Sequence, residues 1–238
     1  MIYNEFVHEI KDEKVKAIYP DGIHMAIKSF LEKDMAIANI SCATLEDHKE
    51  TLSMEALKET DVLIWWGHMR HKEVDDEVVA RVTRRVLDGM GLIVLHSGHA
   101  SKPFQALLGT DTHMLRWREA DERVRVWNIA RNHPICRGIS ETFAIPADET
   151  YGEPFGIPTP DELIFISWFQ GGDVFRSGCT WQRGAGKIFY FQSGHETFPV
   201  YYQKEVQLVI TNAIKWACPI ERHCVVDRGG PNTPALEK

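Results

Sequence analysis

Apolar and polar positions alternate between two periods along the first half of the chain, and that alternation predicts a fold. Ile2–Phe6 and Ala36–Ala43 are short apolar runs of strand length. Asp61-Val-Leu-Ile-Trp-Trp66 and Gly91-Leu-Ile-Val-Leu95 are apolar at successive positions, as parallel strands covered on both faces tend to be. Between these runs the spacing changes to that of helices. Ile23, Ile27, Phe30 and Leu31 form one stripe after Asp21-Gly22, and a short helix is expected around Leu52–Glu59. Val78, Val79, Val82 and Val86 form another stripe within Val74–Leu87, closed by Gly89 and Gly91. Strands and helices taking turns in this way predict a doubly wound α/β sheet with parallel strands.

The second half is less regular. Arg123–Ile129 alternates charged and apolar residues, which predicts an edge strand. Leu163–Phe169, Val174–Trp181 and Lys187–Gln192 predict further strands, joined by turns at Gly171-Gly172 and Gly184–Gly186. Glu205–Ala217 carries Val206, Val209, Ile210, Ala213 and Ile214 at helical spacing and closes the domain. No repeat, linker or low-complexity tract divides the chain, so one domain is expected over 1–218. The Gly- and Pro-bearing stretch 219–238 reads as a C-terminal extension.

Composition narrows the class of partner. A net charge of −7 disfavours nucleic acid and anionic membrane surfaces. The apolar runs are far shorter than the ~20 residues of a membrane span. Asn4, Glu5, His8 and Glu9 interrupt the first apolar stretch, unlike a secretory signal. Five cysteines without a CxxC pair do not suggest a disulfide framework, and Cys42 and Cys179 read as buried, inert thiols. A cytoplasmic location is the expectation. The first strand opens so abruptly at Ile2 that residues upstream of it are also expected.

Candidate chemistry gathers where strands are expected to end, the place where open parallel sheets bind ligands. The string Gly67-His68-Met69-Arg70-His71 follows one strand, His96-Ser97-Gly98-His99 the next, and Ser193-Gly194-His195-Glu196 a late one. Five of the eleven histidines thus share one kind of position. Imidazoles converging from separate loops can act as general bases or as zinc ligands, and His68, His99 and His195 are the candidate metal set. The competing reading is that they cap helices or bond loop carbonyls. Ser97, beside Gly98 at a strand-to-helix junction, resembles a nucleophile elbow, although Leu95 and His99 replace the usual glycines; a helix N-cap is its alternative role. His195 and Glu196 pair an imidazole with a carboxylate on the expected rim, the arrangement of a proton-transferring histidine. Asn4, Glu5, His24, His68, His71, His96, His99 and Glu153 are candidate substrate contacts. Trp65, Trp66, Trp117, Trp168, Phe169 and Trp181 could stack on a sugar or fill the core.

The same segments resemble the trehalose-utilisation ThuA-like family. The matching strings are NEFVHE (4–9), IYPDGIH (18–24), DVLIWWGHMRH (61–71), GLIVLHSGH (91–99), YGEPF (151–155), ELIFISWFQGGDVFRSGCTW (162–181) and GKIFYFQSGHET (186–197). The resemblance implies a flavodoxin-like doubly wound sheet, mostly parallel with added strands in the second half, related to class I glutamine amidotransferase domains. In those relatives an elbow cysteine and a later His-x-Glu form a triad. Here Ser97 stands near the elbow and His195-Glu196 near the second site without the spacer, so glutaminase activity is not expected. A role in utilising trehalose or a related disaccharide, including an oxidised keto form, is implied instead. The expected partner is a small carbohydrate, with room for a homo-oligomer. Histidine density favours an enzyme, with zinc as its candidate cofactor; the absent elbow thiol favours the alternative, a non-catalytic sugar-binding or regulatory module.

Overall fold

The computed structural model describes residues 1–220, 235 and 237. Its strands are β1 (Ile2–Asn4), β2 (Cys42–Thr44), β3 (Val62–Trp66), β4 (Gly91–Leu95), β5 (Arg116–Asn128), β6 (Thr142–Gly152), β7 (Glu162–Phe169), β8 (Val174–Arg183) and β9 (Gly186–Phe191). They form one sheet in the order β2-β1-β3-β4-β9-β8-β7-β5-β6. The apolar runs of β3 and β4 are buried at every position and pair in parallel from Val62 with Gly91 to Trp66 with Leu95.

Only half of the sheet is parallel. The pairings from β2 through β1, β3 and β4 to β9 are parallel, whereas those from β9 through β8, β7 and β5 to β6 are antiparallel. The expectation of a mostly parallel sheet is corrected to that extent. The reason is local: Gly172 (φ +95°) and Gly184 (φ +58°) sit in turns short enough to return the chain antiparallel, with no crossover helix.

The helices are α1 (His8–Lys11), α2 (Glu13–Ile18), α3 (Ile23–Leu31), α4 (His48–Thr51), α5 (Met54–Lys58), α6 (Asp76–Leu87), α7 (Lys102–Leu108) and α8 (Lys204–Ala217). The apolar stripes are buried where the spacing placed them, with Val78, Val82 and Val86 on α6 and Val206, Val209, Ile210 and Ala213 on α8. Asp75 starts α6 by accepting the Glu77 N–H at 2.9 Å.

Three elements differ from the sequence expectation. Residues 36–41 are not strand, and pairing at this edge is confined to β2. The helix expected at Leu52–Glu59 starts at Met54, because Ser53 caps a new turn by accepting the Ala56 N–H at 3.2 Å. The expected edge strand Arg123–Ile129 is the later part of β5, which lies inside the sheet between β7 and β6. The edge is β6, whose Pro146, Asp148 and Glu149 disguise it in the sequence. The expected extension, from residue 221 on, lies outside the described residues apart from 235 and 237, as does Cys224. No described helix is long and apolar enough to cross a membrane.

Candidate active site

The carboxyl ends of the parallel strands deliver separate loops to one place. Phe6 (φ +52°) turns the chain out of β1 towards α1, and Gly67-His68 leaves β3. His96 leaves β4 at φ +50°, in the left-handed region that costs a non-glycine residue of order 1–3 kcal/mol. The loop after β9 passes through Gly194 (φ +137°), where a Cβ would collide with the Tyr201 hydroxyl. The far edge of the sheet contributes as well. Asp148 on β6 accepts the N–H groups of Gly194 and His195, both at 3.1 Å, and Gln192 Nε2 donates to the Glu149 carbonyl at 3.1 Å.

Six donors meet there: His8, His68, His96, His195, Glu149 and Glu196. The His68 ring lies 4.9 Å from His8, 6.1 Å from His96 and 5.2 Å from His195, centroid to centroid, and His96 lies 5.3 Å from His195. Glu196 Oε1 is 2.9 Å from His68 Nδ1 and 3.3 Å from His8 Nδ1, while Oε2 is 3.7 Å from His195 Nε2. Glu149 Oε2 is 3.1 Å from His96 Nε2 and 4.0 Å from His195 Nε2. The ligand atoms of three overlapping trios lie within 4.8 Å of one another: His8–His68–Glu196, His68–Glu149–His195 and His96–His195–Glu196. His96 Nδ1 is 2.8 Å from the Gln192 carbonyl; His195 Nδ1 is 2.8 Å from Thr197 Oγ1 and 3.3 Å from its N–H.

The electrostatics follow from burial and neighbours. Burial disfavours a charged His96, yet the adjoining Glu149 carboxylate outweighs it and lifts the imidazole pKa to about 9. Burial, with His96 beside it, pushes His195 down to about 4. Glu196 falls to about 2, because His68, His195 and His8 overcome the desolvation that would raise it. Burial lifts Asp148 to about 6.

Other expected site residues are placed differently. His99 is absent from all three trios: its Nδ1 lies 3.0 Å from the Thr112 carbonyl and its ring packs among His113, Tyr151 and Phe155. His99 therefore does not join His68 and His195 as the expected metal set required; the carboxylates of Glu149 and Glu196 stand beside those two histidines instead. Ser97 is not the strained elbow residue. His96 is, while Ser97 Oγ rests 3.2 Å from the Tyr151 hydroxyl. Glu153 is bound to Arg176 through both carboxylate oxygens, and it also accepts the Phe155 N–H. Asn4 donates to Glu9 at 2.7 Å and lies 2.9 Å from His24 Nδ1, so both brace the start of α3. His71 packs beside Gly67 and Glu5, outside the trios. His8 and Glu149 were not among the expected site residues. Adjacent carboxylates at Asp148-Glu149, within an otherwise apolar stretch, were the available signal for the second.

Glu5 positions His68. Its buried carboxylate accepts the N–H groups of His68, Met69 and Arg70 at 2.9, 3.0 and 2.9 Å. Glu5→Ala orphans all three donors and should destabilise the fold by about 3 kcal/mol or more. A urea-unfolding change under ~1 kcal/mol would contradict that role.

An apolar-lined cavity of about 790 Å³ lies at the opposite, amino ends of the strands, against Met1, Ile37, Ile40, Cys42 and Val62, away from the histidine cluster.

A family model described as ThuA, trehalose utilisation, matches residues 1–217. No curated protein matches the chain. A ThuA-like protein from Parabacteroides merdae superposes with a TM-score of 0.66 at 12% identity, over 91% of this chain and 88% of that one. A ThuA-like protein from Bacteroides uniformis gives 0.60 at 18% identity, over 91% and 89%. A glutamine amidotransferase from Thermotoga maritima gives 0.54 at 11% identity, over 91% and 96%. At such identities the structural likeness shows a shared fold, while the family match covers nearly the whole chain. The chain belongs to the ThuA family of trehalose utilisation.

Proposed function

We propose that this chain is an enzyme of carbohydrate utilisation that acts on a sugar, trehalose or a related disaccharide or its keto form, through a divalent metal ion. One observation carries the reading. Five ligand-type atoms at the centre, His8 Nδ1, His96 Nε2, His195 Nε2, Glu149 Oε2 and Glu196 Oε2, are buried without a well-formed hydrogen bond. They approach one another or a neighbouring carboxylate oxygen only as ion pairs, from 3.1 Å for His96–Glu149 to 4.0 Å for His195–Glu149. Leaving such atoms unsatisfied is costly, and a cation among them removes the cost at one stroke. Imidazole nitrogens and carboxylate oxygens suit zinc, with its open fourth position for substrate or water. The bound ion supplies a Lewis acid for a sugar oxygen. An imidazole or carboxylate outside its coordination shell moves the proton.

The family description supports the substrate class. His96 at the elbow, where the related amidotransferases are expected to hold a cysteine, argues against glutaminase chemistry. Two structural neighbours from Salmonella typhimurium are described as cytoplasmic proteins, which supports a cytoplasmic location here. The test is elemental analysis of untagged protein, followed by melting shifts and turnover assays across a disaccharide and keto-sugar panel, with and without chelator. Bound metal, a sugar-dependent shift and turnover that chelation abolishes are expected. A sugar shift without turnover would favour a binding module. A metal-free protein that takes up no divalent ion would overturn the metal reading.

A further inference from the structure

We infer that this centre holds two divalent ions bridged by Glu196, an inner one and an outer one. The inference rests on the metal reading above and goes beyond it in number, placement and consequence. A catalytic zinc commonly uses three protein donors and leaves a position open. Six protein donors on one ion would fill its shell and exclude both water and substrate. Shared between two ions, with Glu196 giving one oxygen to each, the same six supply four donors to the inner ion and three to the outer one.

The donors divide by depth and by distance. His96, His195 and Glu149 are buried, and the Nε2 atoms of the two histidines lie 3.1 and 4.0 Å from one oxygen, Glu149 Oε2. His8 and His68 are half-buried, and their Nδ1 atoms lie 3.3 and 2.9 Å from another oxygen, Glu196 Oε1. Two donors on one ion, each at ~2.1 Å, stand roughly 3–4 Å apart, which is the spacing within each group. Glu196 joins the groups, because its second oxygen lies 3.7 Å from His195 Nε2. The inner rings are held for the task. The Nδ1–H of His96, donated to the Gln192 carbonyl, leaves its Nε2 bare towards the centre, while His195 Nδ1 accepts the Thr197 N–H at 3.3 Å, which fixes the orientation of that ring. Two ions side by side would take two neighbouring oxygens of one sugar, such as a hydroxyl beside a ketone, and hold a water between them.

The experiment is a stoichiometric titration of the chelator-stripped, untagged full chain with Zn²⁺, read by elemental analysis after desalting. It is repeated with Mn²⁺ and read by electron paramagnetic resonance. Two ions per chain and a spin-coupled Mn²⁺ signal are expected for the wild type. His8→Ala, at the mouth, should retain one ion and lose the coupling, with circular dichroism confirming the fold. His68→Ala provides a second variant with the same expectation. One ion per wild-type chain, with an uncoupled signal, overturns the inference while leaving the metal reading standing. No ion at all overturns both.

Discussion

Replacing His195 with alanine should lower turnover by roughly 10²-fold or more, because even a residue that only supports a metal ligand is worth about 10- to 100-fold and His195 is read here as a ligand itself. It should also release the inner ion. The fold should survive, because His195 Nε2 satisfies no other group of the protein and Nδ1 reaches only the neighbouring Thr197. The expected cost to the metal-free protein is about 1–3 kcal/mol, from the space left by a buried ring. Metal-free forms are the proper comparison, since a bound ion adds its own stabilisation to the wild type. The measurements are metal content, turnover and a urea melt on stripped protein. A variant that unfolds, yet keeps wild-type metal content and sugar response in its folded fraction, would make His195 a structural residue.

How much of this was legible in the sequence depended on whether neighbours along the chain are neighbours in space. β3 and β4 were readable because a fully buried strand writes its environment as unbroken apolar positions. The histidines after them were readable as a rim because strand ends and loops are local. The nature of the elbow was not. Ser97 looked like its apex by analogy, but the positive φ falls one residue earlier, and backbone strain leaves no mark in composition. Glu149 was hidden for a different reason. It comes from β6, five strands from β4 in the sheet order, and reaches His96 only because β6 turns back onto the loop after β9. His99 shows the converse, since its spacing from His96 suggested convergence while the short helical turn over His96–Ala100 aims it at Thr112.

The metal-free protein should be most stable between about pH 6.5 and 8 and lose stability on both sides, for opposite reasons. Burial holds His71 down to about 4 and His99 well below its ordinary value, and His195 is likewise at about 4. Between the unfolded value of about 6.5 and these folded ones, the unfolded chain binds more protons, so stability falls as pH falls. For His71 and His195, each lowered from 6.5 to about 4, this corresponds to roughly 3 kcal/mol apiece. Asp148 opposes this limb, because its raised carboxyl, at about 6, binds a proton in the folded state first. One carboxyl against three imidazoles leaves the sign unchanged, and Glu196 at about 2 extends the loss below pH 4.5. On the alkaline side, His96 at about 9 keeps a proton that the unfolded chain has released, which lowers stability as pH rises. The buried Met1 amino group, held down to about 6, offsets this up to about pH 8, so the net loss falls between about pH 8 and 9. An ion bound to His96 Nε2 displaces that proton. Loading the protein with Zn²⁺ should therefore abolish the alkaline limb and steepen the acid one, where protons compete with the ion for imidazole. Urea melts at about pH 5, 6.5, 8 and 9, with and without Zn²⁺, distinguish the cases. If the metal-loaded protein still weakens between about pH 8 and 9 as the stripped one does, His96 keeps its proton in the presence of zinc and is not a ligand.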